Sequence, residues 1–258
     1  MRRTTTVSVL LISAWVSFAG GETRAQAQTA EDFIAGKTKD CPGCNLAGAS
    51  LKRRNLAGAN LAGANLEGAS FHRSVLRGAN FSGANLTDAN LNKTDIIQVN
   101  FTNAKMGGAM LFEAEAGRAD FTGADLSEAL LGSIRLTGGK LDGATLKETD
   151  FEAALLNEAS FVDAKLTEAN FHAARMLRAN MRGASGENVE FTQANMRDVN
   201  LSGAVLPDSV FYLADFTGAD LSGADFSRSI FRSAILGNTN QSRTTFSGAM
   251  MPDNSIAK

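Results

Sequence analysis

From Leu46 to Met251 a bulky apolar residue falls on every fifth position, a small residue usually sits two places before it, and polar residues fill the gaps. The segment Asn55-Leu56-Ala57-Gly58-Ala59-Asn60-Leu61 shows the pattern. Of 42 such slots only Ala116, Gly186 and Gln241 lack a bulky apolar side chain, and no insertion shifts the frame. A period of five matches neither the 3.6 of a helix nor the 2.0 of a flat strand. It predicts polygonal sides, each ending in a corner, with the bulky and small residues inward and the other three in solvent. Gly recurs two places after the bulky residue, as at Gly48, Gly58 and Gly63, where a tight corner favours it.

The number of sides per coil can be tested on phenylalanine, because residues one turn apart stack at about 4.8 Å across a ladder. Phe pairs among the bulky slots number seven at a separation of 20, four at 10 and three at 15. Twenty residues per coil, hence four sides, is the favoured register. Forty-two sides then make roughly ten coils and a rod about 50 Å long at the ladder spacing. An internal period of this kind predicts one solenoid where length alone would allow one or two globular domains.

The run of Ala-Asn-Leu-x-Gly and Ala-Asp-Phe-x-Gly units over 45–251 resembles the pentapeptide-repeat family. The resemblance implies an all-β fold, a right-handed quadrilateral parallel β-helix with a dry core of stacked Leu and Phe. It implies no single function, since fold and function separate.

The remaining segments suggest a leader, a cap and a tail. Arg2 and Arg3, an apolar run from Val7 to Ala19 and Ala25-Gln26-Ala27 read as an export signal over 1–27, cleaved after Ala27. The apolar run is shorter than the roughly 20 residues of a spanning helix, so no membrane span is expected after cleavage, and the destination is periplasmic or secreted. Residues 28–44 should cap the first coil, with Thr29–Lys39 as a short amphipathic helix turning Phe33 and Ile34 inward. Arg54 in a small inward slot marks that coil as irregular. At the other end, 252–258 with Pro252-Asp253-Asn254-Ser255 reads as a frayed tail.

Only two cysteines exist, Cys41 and Cys44. In an exported chain they are expected to form a disulfide clip at the mouth of the solenoid. Asn45 stands where haem attachment would need His, and zinc would need two more ligands than the neighbourhood offers. No cofactor or metal is expected.

Sorting outward residues by twenties gives four faces, numbered from the slots of Leu46, Leu51, Leu56 and Leu61. The second face begins with a basic strip, Lys52, Arg53, His72, Arg73 and Lys93, which is either a solvated edge or an anion-binding surface. It ends in an apolar cluster, Val210, Tyr212, Leu213, Ile230 and Met250, with Val205 and Ile235 on neighbouring faces. Such clusters mark contact surfaces, here for a protein partner or a homodimer, against simple packing under the tail. Met110, Phe112 and Leu130 form a smaller apolar group midway. On the first face Glu128, Glu148 and Glu168 stack beside Lys147, a charged column that most simply splays into water. On the fourth, Asn60, Asn80, Asn100, Asn180 and Asn200 are expected to form amide ladders. Ile134 is expected to fill room left by Ala116, and Val189 and Val199 the room left by Gly186.

Formal charge is −2, and removal of residues 1–27 leaves 22 basic against 26 acidic residues, or −4. That mixed balance argues against a nucleic-acid partner. Catalysis is not expected: no loop interrupts the repeat to wall a groove, and His72 and His172 stand five coils apart, about 24 Å at the ladder step. The expected function is a non-catalytic exported protein-binding or scaffold module of the cell envelope. The family alternative is a DNA-mimic inhibitor of type II topoisomerase, and a polysaccharide-acting β-helix enzyme is the third option.

Overall fold

The computed structural model describes residues 24–258. The leader expected over 1–27 therefore lies outside the described residues, except for its last four. Those open α1, Arg24–Ile34, so the helix spans the expected cleavage bond after Ala27.

Beyond the helix the chain winds as a β-helix solenoid. Among the described residues, 38 parallel bridges join residue pairs 20 apart, from Asn45↔Asn65 to Ile230↔Met250, without a change of register. The side Leu61-Ala62-Gly63-Ala64-Asn65 shows why five residues suffice. Leu61 N–H donates to Asn80 O (2.8 Å) and Gly63 N–H to Ser82 O (2.9 Å) on the next coil, while Asn65 N–H donates back to Cys44 O (2.8 Å). Ala64 N–H closes the corner on Leu61 O at 3.1 Å. The one amide left over, Ala62 N–H, donates to Asn60 Oδ1 at 3.3 Å. Every backbone donor of the side has an acceptor, as a buried backbone requires. Asn and Asp before the bulky residue thus act as caps for the corner.

The corner itself needs a left-handed residue at its second position, the arrangement of a type II turn. All 42 positions from 43 to 248 in steps of five have positive φ, and 26 of them are not glycine. A left-handed non-glycine residue costs about 1–2 kcal/mol. The ladder on both sides of each corner overrides that preference.

Inside, all seven Phe pairs separated by 20 stack, with centroids 4.6–5.7 Å apart and ring planes within 25°. Rings on adjoining columns meet edge to face, as Phe151 and Phe161 do at 6.0 Å and 82°, the geometry the ring quadrupole favours. Where Ser or Thr takes a small inward slot, its hydroxyl finds a carbonyl: Ser74 Oγ donates to Leu51 O (2.7 Å) and Thr149 Oγ1 to Leu126 O (2.8 Å).

Several local expectations change. Phe33 is fully buried but Ile34 is 56% exposed, because the end of α1 presents Ile34 outward and seats Phe33 alone on the core. Arg54 explains the irregular first coil: its guanidinium donates to Phe33 O (3.0 Å) and Ile34 O (3.3 Å) and stands 5.4 Å from the Phe33 ring. It therefore caps the C-terminus of α1, where a cation is favoured. The repeat pattern of hydrogen bonds runs back to Cys41, whose N–H donates to Asn60 O at 2.8 Å. The Cys41–Cys44 disulfide accordingly lies buried inside the first coil, in a bulky and a small slot, rather than ahead of it.

At Gly186 an added Cβ would lie 2.6 Å from Leu166 C and Thr167 N of the preceding coil, and Val189 and Val199 are both fully buried. The tail is not frayed. Met250 pairs antiparallel with Ile256, Gly248 N–H donates to Ala257 O and Ala257 N–H to Ala249 O, both at 2.9 Å. The chain end folds back along the last coil and covers part of the edge that would otherwise template association.

Candidate binding faces

The second face gathers most of the residues singled out from the sequence. Arg53, Arg73 and Lys93 occupy successive corners with φ of 56°, 59° and 56°, which points their side chains off the rod at the ladder step. Lys52 and Arg53 are exposed, His72 half-buried. The strip ends where Lys93 Nζ meets Glu113 Oε2 at 3.2 Å. Lys52, Arg53 and Arg73 make no ion pair among the described residues.

At the far end of the same face, bridges join Val210 to Ile230 and Ile230 to Met250 in one column. Tyr212 (37% exposed) and Leu213 (42%) flank it. Leu213 is a bulky apolar residue at a left-handed corner, φ 59°, a conformation in which such residues are rare. The folded-back tail adds exposed Ile256 beside Met250, an extension the sequence hid because nothing local in 252–258 specifies an antiparallel return. Midway along the face Phe112 and Leu130 are also exposed, beside a notch of about 220 Å³ lined by Phe112, Gly132, Ser133, Asp150, Glu152 and Ala153.

One cation sits among the stacked carboxylates of the first face. Lys147 Nζ lies 2.9 Å from Glu148, and that hydrogen bond, with the charges of Glu148, Glu168 and Glu128, holds its ammonium above its ordinary pKa. Further along, Arg228 grips Asp208 on the preceding coil through Nε (2.7 Å) and Nη2 (2.5 Å). The guanidinium hydrogen bond keeps the Asp208 carboxyl below its ordinary value. No group of three or more His, Cys, Asp and Glu among the described residues is placed to hold a metal. No described helix is long and apolar enough to cross a membrane.

The amide ladder exists in part. Asn80 donates to Asn60 (3.3 Å) on the fourth face, and a ladder not foreseen runs Asn85 to Asn65 to Asn45 on the first (3.1 and 3.3 Å). Asn100, Asn180 and Asn200 instead accept the N–H of the residue two ahead, at 2.9, 3.2 and 2.9 Å. The same fourth face carries a shallow trough of about 630 Å³ over Gly183, Gly203 and Gly223, flanked by Arg182 and Arg243.

Comparison with known proteins accords with this geometry. The profile of pentapeptide repeats matches in eight copies between residues 44 and 232. HetL, a pentapeptide repeat protein involved in heterocyst differentiation regulation in the cyanobacterium Nostoc sp. strain PCC 7120, is 25% identical, with a TM-score of 0.56 over 88% of this chain and 97% of its own. A pentapeptide repeat protein of the Arabidopsis thaliana thylakoid lumen is 34% identical over 35% of this chain and 63% of its own, TM-score 0.35. QnrB1, a plasmid-mediated fluoroquinolone resistance protein, is 21% identical over 72% of this chain and 87% of its own, TM-score 0.37. None of the curated protein sequences matches.

Proposed function

The chain belongs to the pentapeptide-repeat family, and from that premise we propose that it is a non-catalytic protein-binding or scaffold module, exported to the cell envelope, that docks its partner on the C-terminal half of the second face. The observation that carries the reading is Leu213, a bulky apolar side chain held outward at a left-handed corner beside Tyr212 and the Val210–Ile230–Met250 column. Folding would be served better there by Gly or Asn. A contact surface accounts for the apolar choice.

A DNA-like surface would need an unbroken acidic column along the rod. Here Lys147 sits among Glu128, Glu148 and Glu168, and Arg228 neutralises Asp208, so the topoisomerase reading is not favoured by the surface. The test is affinity capture from the cell envelope with the chain cleaved after Ala27 as bait, and Tyr212→Asp as control. A protein retained by the parent and lost by the variant, at equal melting temperature, supports the proposal. Recovery of a topoisomerase, or of a trimmed glycan, contradicts it. A doubled mass in light scattering that Tyr212→Asp abolishes would make the docked partner a second copy. Export is checked separately, by finding in the envelope fraction a chain whose N-terminus is Gln28.

A further inference from the structure

Ahead of its C-terminal apolar cluster, the second face reads in three blocks. Its first three coils are basic (Lys52, Arg53, Arg73, Lys93), the next two present Met110, Phe112 and Leu130 with Glu113 at one corner, and the following three carry Asp150, Glu152 and Glu190. The ladder keeps these residues in three straight columns, since the bridges run Asn90↔Met110↔Leu130↔Asp150 without slippage. Resting on the reading of this chain as a binding module, we propose that the middle of the second face is a self-association surface, which takes a second copy antiparallel about a two-fold axis lying between the coils of Leu111 and Leu131.

The two-fold in the plane of contact preserves each column and reverses the order of coils, so residues whose numbers sum to about 242 come opposite one another. Met110 then meets Leu130 of the other copy. Phe112, 43% exposed, leans over Gly132 of its own chain, its ring 3.3 Å from where a Gly132 Cβ would stand, so each copy brings its Phe112 ring toward the axis beside the notch. Lys93 comes opposite the coil of Asp150 and Glu152, and Lys52 with Arg53 opposite the coil of Glu190. Glu152 is exposed and makes no ion pair among the described residues, so it is available in trans. Lys93 would exchange, or share, its exposed pairing with Glu113 (3.2 Å). A parallel pairing would instead set the basic coil of Lys52 and Arg53 against the same coil of the other copy, and the coil of Arg73 likewise, so repulsion selects the antiparallel mode.

Eight coils span about 34 Å at the ladder step, and a side is roughly 12 Å wide. Each copy therefore buries roughly 400 Å², about 800 Å² in total, which is below the size of stable specific interfaces and in the range of weak, transient ones. The pair is expected to be weak, reversible and salt-sensitive.

The experiment is sedimentation equilibrium of the processed chain from about 1 to 300 µM, with Tyr212→Asp as the comparison for the separate C-terminal patch. The proposal expects a monomer–dimer equilibrium in the parent that Tyr212→Asp leaves intact and Phe112→Asp weakens by at least roughly tenfold. Lys93→Glu and Glu152→Lys should each weaken it by roughly tenfold. The double variant should recover to within about threefold of the parent, because the swapped charges again face each other across the axis. Circular dichroism of these surface variants checks that the coil is intact. A parent that stays monomeric throughout overturns the proposal while leaving envelope capture on the C-terminal patch unaffected. It is also overturned by a dimer lost only in Tyr212→Asp, or by a double variant no better than either single one.

Discussion

Phe171→Ala removes the second ring of the longest stack, which runs Phe151, Phe171, Phe191, Phe211 and Phe231. The Phe171 ring lies 4.9 Å from Phe151 at 5° and 4.9 Å from Phe191 at 6°, and Phe161 meets it edge-on at 5.8 Å and 81°. It is fully buried. Truncating a buried Phe costs about 3–5 kcal/mol in transfer and cavity terms. The neighbouring backbone is pinned by ladders on both sides and cannot collapse into the gap, so the upper end, about 5 kcal/mol, is expected. Phe171→Leu keeps most of the apolar volume and loses chiefly the three ring contacts, each worth roughly 0.5–1.5 kcal/mol, for a cost of about 2 kcal/mol. Because coils couple only to their neighbours, the loss should appear locally. Hydrogen exchange monitored by mass spectrometry should show faster opening of residues 151–191 in the Ala variant, with the first four coils unchanged. An Ala variant within about 1 kcal/mol of the parent, or a Leu variant as costly as Ala, would refute the argument that stacked rings set core stability.

Gly186→Ala should lower stability by about 2–3 kcal/mol, since its Cβ would press backbone atoms 2.6 Å away in a core that cannot yield; an unchanged melting temperature would exclude that packing. Arg54→Ala should release α1 at a cost of about 1–2 kcal/mol, seen as faster exchange of α1 amides with the coils unaffected. The Asp220 carboxyl is held below its ordinary value by Ser222 N–H, the Ser222 hydroxyl and Asn240, and Asp208 is depressed by Arg228. Depressed carboxyls contribute stability that is present above the unfolded value near about 4 and lost as pH falls through the folded value. Thermal stability should therefore be level above about pH 5 and drop in acid, and Asp220→Asn should flatten that drop.

What the sequence reveals and hides follows from which interactions repeat. The Phe columns were legible because every inward slot obeys one period and one ladder, so a count of separations finds the coil. The corner caps were half legible. Asn and Asp recur at the bridging position, but geometry lets Asn100 and Asn200 satisfy the corner amide rather than the neighbouring coil. Arg54, Gly186 and the tail were not legible in detail: Arg54 and Gly186 answer partners about one coil away, the α1 carbonyls and the backbone of Leu166 and Thr167, and the tail answers the edge at Gly248 and Ala249, which exists only once the last coil has formed. On the second face the residues could be named from the period alone. The extension of the patch by Ile256 required the fold, as did the notch beside Phe112.

The central claim, that the second face and not the rod as a whole carries function, is tested most directly by site-specific photo-crosslinking in intact cells. A crosslinkable residue replaces Leu213 on the second face or Ser222 on the fourth. The account predicts one discrete protein adduct from position 213, suppressed by Tyr212→Asp, and none from position 222. Equal adducts from both positions, or none from 213 while 222 gives one, would contradict it.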